Sequence, residues 1–285
     1  MGAINQFISD LIQYGFLQKA LFTSVMVGII SGVIGSFIIL RGMSLMGDAI
    51  SHAILPGVAA SFMLGINYFV GAVIMGLLTS VSITFISQNS KLKSDTAIGI
   101  IFSAFLALGI LMFMKAQTAI SLDSISFRNV LIVPDFDMYL TFIIGIFVIV
   151  IIFIFYKEFL ITSFDPVIAD TYGISTKLFH YLLMILLTLV TVASLQTVGV
   201  ILVVAMLITP AATAFLITQK LSKMIFFAAS LGALAAIVGL FLSNTYNLAS
   251  GPVIVLVSTI MFLIAFFFAP NKGIVWPYLS KKENQ

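Results

Sequence analysis

Long hydrophobic runs separated by short polar clusters dominate the chain. Stretches free of Asp, Glu, Lys, Arg and His run Ala20–Leu40, Ala53–Ser90, Thr96–Met114, Met138–Tyr156, Tyr181–Gln219 and Met224–Asn271. A helix needs about 20 apolar residues to cross a bilayer. Three of the stretches hold one span each. The other three are long enough for two, and each has a polar or glycine break near its middle: Gly65-Ile66-Asn67, Gln196-Thr197-Val198-Gly199, and Ser243 through Pro252. The pattern predicts an all-α polytopic membrane protein with nine transmembrane helices, or eight if one break marks a re-entrant piece.

Alternation of the spans then sorts the loop charges. Arg41, Lys91, Lys93, Lys157, Lys177, Lys220, Lys223, Lys272, Lys281 and Lys282 fall on one side; Lys19, Lys115 and Arg128 fall on the other. Ten against three assigns the first side to the cytoplasm, together with the C-terminal tail. Nine spans place the N-terminus outside, or its weakly charged first 19 residues in the membrane interface. Those residues lack a basic region followed by an apolar segment and a small-residue cleavage site, so they are not read as a cleaved signal peptide.

The second span is the unusual one. Ala53 to Gly65 is only 13 residues, too short to cross. Its helix must begin near Met43, which draws Asp48 and His52 into the membrane. Pro56 and Gly57 then predict a kink that frees backbone carbonyls as further ligands.

Two connecting segments are longer. Lys115–Asp137, on the outer side, carries Asp123, Arg128, Asp135 and Asp137 and is expected to form a short surface helix facing a partner. Lys157–Lys177, on the cytoplasmic side, contains Phe164-Asp165-Pro166, with Asp as helix N-cap and Pro at the first helical position, and then Gly173 as a stop. It predicts a short amphipathic helix at about 163–176.

Composition narrows the class. Hydrophobic residues make up 61% and charged residues 8%, against roughly 25% charged in soluble domains. The 285 residues fit one membrane domain, 1–285, with no room for a soluble ATP-binding domain. Gly-x-x-x-x-Gly-Lys-Ser/Thr is absent, so this chain does not hydrolyse ATP by that route. With no cysteine, disulfides and thiolate metal sites are excluded. The net charge of +3 sits in scattered short loops, which does not make a nucleic-acid surface.

The candidate chemistry lies in the second span. Asp48 and His52 are four residues apart, so a helix places carboxylate and imidazole on one face, one turn apart. Ionisable groups at membrane depth are costly and usually functional. A hard oxygen ligand beside an imidazole suits a divalent transition metal. A lone Asp or His near a membrane edge would more often be a cap or a packed histidine. The pairing and the short span weigh against that. Asp95 opens the fourth span, either as an N-cap, a role Ser94 fills equally well, or as a further metal ligand. Ser51 neighbours the pair, and Thr209-Pro210 is expected to bend the seventh span where it lines a path. Arg41 is expected to snorkel to lipid headgroups, and His180 to be an ordinary interface histidine. Met43 and Met46 flank the pair, though thioethers suit softer metals.

Arg41 to Ala59, with Met-Ser-Leu-Met-Gly-Asp-Ala-Ile-Ser-His-Ala-Ile-Leu-Pro-Gly-Val-Ala, resembles the signature of the membrane permeases of bacterial ABC importers for manganese, zinc or iron. Ser94-Asp95-Thr96-Ala97-Ile98-Gly99, Ser163 through Gly173, and Met206 through Ala214 resemble the same family in order and spacing. The Leu-Arg-Gly-Met-Ser-Leu-Met-Gly form is closer to the manganese type of Gram-positive bacteria. The resemblance implies a multi-pass protein of the bacterial plasma membrane. It would act as a homodimer or paired permease, driven by cytoplasmic ABC ATPase subunits and served by an extracellular metal-binding lipoprotein. It implies Mn2+, or Zn2+ or Fe2+, as cargo, with no tightly bound cofactor. Phe164, Asp165, Pro166 and Gly173 match its ATPase-docking segment. One departure is Phe127-Arg128-Asn129, where relatives tend to have Phe-Gly-Asn; it bears on the surface for the binding protein.

Two other readings compete. A secondary metal/proton carrier would use Asp48 and His52 as a relay, but such carriers often show several intramembrane charges and broken helices. An intramembrane zinc protease would need His-Glu-x-x-His, which is absent, since His52 precedes Ala-Ile-Leu and His180 precedes Tyr-Leu-Leu.

Overall fold

Nine helical spans, each long and apolar enough to cross a membrane, form the body of the protein in a computed structural model that describes residues 2–116, 131 and 133–269. Among the described residues there is no strand. A short helix, α1 (Ala3–Gln13), precedes the first span, α2 (Gly15–Leu40). The second span is two helices, α3 (Met46–Ala53) and α4 (Leu55–Leu64). Then come α5 (Tyr68–Asn89), α6 (Ser94–Ala116) and α7 (Asp135–Ile154). Two short helices follow, α8 (Tyr156–Phe164) and α9 (Pro166–Thr171). The last four spans are α10 (Thr176–Val198), α11 (Val200–Ile217), α12 (Leu221–Tyr246) and α13 (Ser250–Phe268).

The three mid-stretch breaks are turns between spans, which settles nine over eight. Gly65 (φ 69°) and Gly199 (φ 82°) take backbone conformations that side chains disfavour, and end α4 and α10. The Asn67 side chain accepts from the amide of Phe69 and starts α5. Asn247, at φ 53°, closes α12.

Two groups of helices make the core. One is α2 with α11, α12 and α13; the other is α3 to α6; α10 bridges them, and α7 packs against α2 and α10. In a membrane, lipid competes with apolar side chains, so close helix association relies on small residues. Gly28 and Gly32 on α2 meet Ala228 and Gly232 on α12 backbone to backbone. A Cβ at Gly28 would lie 2.6 Å from the Gly232 carbonyl oxygen. This seam seats α2 in the middle of its group. Its Gly35 abuts the Leu207 carbonyl of α11.

α1 is an amphipathic helix outside the spans. Phe7 packs edge-on against Phe241, and Asn244 donates to Asp10, while Ile4, Ile8 and Ile12 stay exposed along one face. This helix fits the interfacial reading of the first 19 residues.

Candidate functional site

The depth of the Asp48–His52 pair follows from two glycines. A Cβ at Gly47 would meet the Leu207 side chain at 2.7 Å, and Gly35 meets the same residue's carbonyl. Leu207 lies near the middle of α11. Gly35 stands six residues before Arg41, which at helical rise is roughly 9 Å deeper than the lysine-rich end. The chain therefore turns at Gly42 and re-enters, so that α3 starts inside the membrane.

On α3, Asp48 occupies the first turn, where the helix dipole favours a negative charge, and His52 the last. The His52 Nε2 to Asp48 Oδ1 distance is 3.6 Å. Phe102 of α6 stands edge-on to the imidazole at 5.9 Å. Pro56 carries no amide proton for the His52 carbonyl. The amide of Ile54 turns to the His52 and Ile50 carbonyls instead, and the helix breaks there. The expected kink is present, one residue ahead of the Leu55-Pro56 start of α4.

The pair opens onto a groove of about 370 Å³ whose far wall is one stripe of α11: Val200, Ile201, Val204, Ala205, Ile208 and Thr209. Side-chain exposure is 34% for His52 and 44% for Asp48. Both side chains line the groove, each with the other as its near partner. A single carboxylate and a single imidazole supply two positions of a metal's coordination shell, and the open side leaves the rest to water or another chain.

The other candidate residues are placed as follows. Thr209 lines the groove. Pro210 is buried within α11, which runs through it without interruption. Ser51 is 1% exposed, and its hydroxyl donates to the Gly47 carbonyl, so it packs beside the pair. Asp95 is exposed in the first turn of α6. Among the described residues no three His, Cys, Asp or Glu come together as a metal cluster, so Asp95 does not join the pair within one chain. Met43 and Met46 are buried in the core. The aliphatic groove wall was not foreseen. On a uniformly apolar helix such as α11, a lining stripe has no polar contrast to reveal it.

Arg41 departs from expectation, while His180 stands near the start of its helix as Arg41's partner. Arg41 does not reach for lipid. Its Nε donates to Ser163 Oγ at 3.0 Å, Nη2 to Thr162 Oγ1 at 2.9 Å, and Nη1 contacts His180 Nδ1 at 3.1 Å. Arginine only donates, so the histidine nitrogen accepts. Burial lowers the guanidinium to about 10, which leaves it charged at neutral pH.

At the same lysine-rich end, the Asp165 side chain accepts from the Ile168 amide at 2.9 Å, with Pro166 first in α9. Gly173, at φ 74°, follows the end of the helix. The helix is shorter than the 163–176 expected, because α8 is a separate helix and the chain turns at Gly173. Phe164, Val167, Ile168 and Tyr172 remain exposed on this segment. Most of the outer Lys115–Asp137 segment, with Phe127-Arg128-Asn129, lies outside the described residues.

Comparison with known proteins adds identity to this geometry. Residues 13–269 match the ABC 3 transport family. The chain is 61% identical over 277 residues to a manganese transport system membrane protein of Listeria innocua, covering 97% of this chain and 98% of that one. It is 55% identical to a manganese import system permease protein of Streptococcus parasanguinis, covering 94% and 96%. Among solved structures it resembles a chain of PsaBC from Streptococcus pneumoniae in complex with Fab. The TM-score is 0.85 and the identity 52%, over 98% of this chain and 99% of that one.

Proposed function

The chain belongs to the ABC 3 transport family, and from that premise we propose that it is the permease through which a bacterial ABC importer brings Mn2+ across the plasma membrane. It is a multi-pass membrane protein and a transport subunit rather than an enzyme. The observation that carries the reading is an Asp–His pair within the second span, opening onto a groove otherwise lined by aliphatic side chains and Thr209. The names of the relatives, manganese transport proteins at 55–61% identity that cover 94–98% of each chain, favour Mn2+ among the divalent ions this donor set accepts, Zn2+ and Fe2+ being the others. The secondary carrier reading finds no support among these relatives.

Three partners complete the proposal. A cytoplasmic ABC ATPase subunit docks on α9 and the exposed apolar residues around it. An extracellular lipoprotein delivers the ion. A second copy of the chain covers the groove, since half-exposed ionisable groups at that depth cannot face hydrocarbon. Two copies then bring two carboxylates and two imidazoles to one path.

The shared groove is open to test because the chain has no cysteine of its own. Ile201→Cys on the groove wall is expected to give a crosslinked dimer with a short bis-maleimide in membranes. Leu263→Cys, on the exposed side of α13, is expected to stay monomeric. Crosslinking through Leu263→Cys and not Ile201→Cys would place the interface elsewhere.

A further inference from the structure

We propose that Arg41 is a positioning residue that carries movement of the α8–α9 docking segment to the Asp48–His52 helix. The inference rests on the reading of α9 as the ATPase-docking element. It concerns a contact that the transport reading does not itself require.

On one side of Arg41 the chain leading to Asp48 is tied by successive backbone hydrogen bonds. The amides of Arg41, Gly42 and Met43 bond to the carbonyls of Phe37, Ile39 and Ile38. Those of Met46 and Ala49 bond to Met43 and Leu45. Met43 and Met46 are locked in the core, at 5% and 1% exposure. A displacement of the Arg41 backbone is therefore passed to Asp48 through continuous hydrogen-bonded turns.

On the other side, the guanidinium grips both ends of the docking segment. Thr162 and Ser163 lie in the last turn of α8, just ahead of Asp165, the residue that caps α9. The Asp165 amide is itself bonded to the Ile161 carbonyl. Beyond α9, the Thr176 hydroxyl donates to Asp170 at 2.8 Å and also lies 3.3 Å from the Pro166 carbonyl, which ties α9 to the start of α10. One turn further along α10 is His180, the third partner of Arg41. Any tilt of α9 against the membrane thus acts on Arg41 from two directions. A forked, planar donor group reaches acceptors on two elements at once; a lysine ammonium on a flexible stem does not hold that geometry.

The competing explanation is that Arg41 only satisfies buried hydroxyls and stabilises the fold. The two differ in one readout, Mn2+ moved per ATP hydrolysed, measured in vesicles containing the chain with its ATPase and binding protein. For Arg41→Lys, that ratio is expected to fall about tenfold or more, the effect of losing a charge-assisted hydrogen bond. ATPase co-purification and hydrolysis are expected to stay near the unsubstituted level. Thr162→Val with Ser163→Ala, which leaves the guanidinium in place, is expected to lower the ratio in the same direction. An unchanged ratio in both variants overturns the proposal, as does a fall of transport and hydrolysis in step with the amount of folded protein. Ile168→Pro is the control: if it leaves the ratio intact, the docking reading fails and this inference with it. If it uncouples while the Arg41 and Thr162/Ser163 variants do not, this inference alone is wrong.

Discussion

Asp48→Asn is expected to reduce Mn2+ uptake by on the order of 100-fold, which corresponds to about 3 kcal/mol of lost interaction between the path and the ion. Asparagine keeps the size of the side chain and removes its charge. A carboxylate at this depth is neutralised by a proton or a cation, and under the proposed function a passing dication would serve that role without a permanent partner. His52→Ala removes the imidazole, the one histidine among the described residues that line the groove, and is expected to have an effect of similar size. Neither side chain is buried in packing, so the amount of folded protein, read by size exclusion in detergent, is expected to change little. Normal uptake by both variants would show that the ion takes another route. Loss of folded protein would return the pair to a structural role. The site is also expected to bind Mn2+ weakly in the resting protein, because conduction requires release as well as capture.

The second large effect is expected at the docking helix. Ile168→Pro deletes the amide that the Asp165 side chain accepts, so the start of α9 loses its cap. Gly173→Val forces a β-branched residue to φ 74°. Each is expected to lower transport per ATP hydrolysed by about tenfold or more: under the proposed docking a distorted helix would lose its fit to the ATPase, and even about 1.4 kcal/mol of lost fit is a factor of ten. The membrane domain is expected to stay folded, because α9 makes few contacts with the spans. Coupled transport at the ordinary level in both variants would reject docking at this segment.

Much of this was legible along the chain, and physics says which parts. Span number and breaks are local: Gly65, Asn67 and Gly199 announce turns by their own backbone and capping chemistry. The re-entry of α3 followed from counting, because Ala53 to Gly65 cannot cross alone. The Asp165 cap and Pro166 start were also local signals, and both are present. What could not be read was pairing over distance. Arg41 meets a histidine 139 residues away, and nothing near either residue encodes that. The rule for a cation at a helix end therefore gave lipid, where the fold supplied hydroxyls and an imidazole. Thr209 marked the groove wall on α11, but the aliphatic rest of that wall was hidden because the helix around it is apolar on nearly every side. Asp95 had a signal as good as that of Asp48 by residue type, but only a fold separates a carboxylate at an exposed helix start from one that faces a groove. Helix α1 had a readable signal in Ile4, Ile8 and Ile12 at helical spacing.

The most direct test of the central claim is uptake of radioactive Mn2+ by vesicles that hold this chain with its ATPase subunit and metal-binding lipoprotein. Uptake is expected to require ATP, to persist when the proton gradient is collapsed, and to be lost with Asp48→Asn. Uptake driven by a proton gradient without ATP, or ATP-driven uptake of Zn2+ or Fe2+ that excludes Mn2+, would contradict the account.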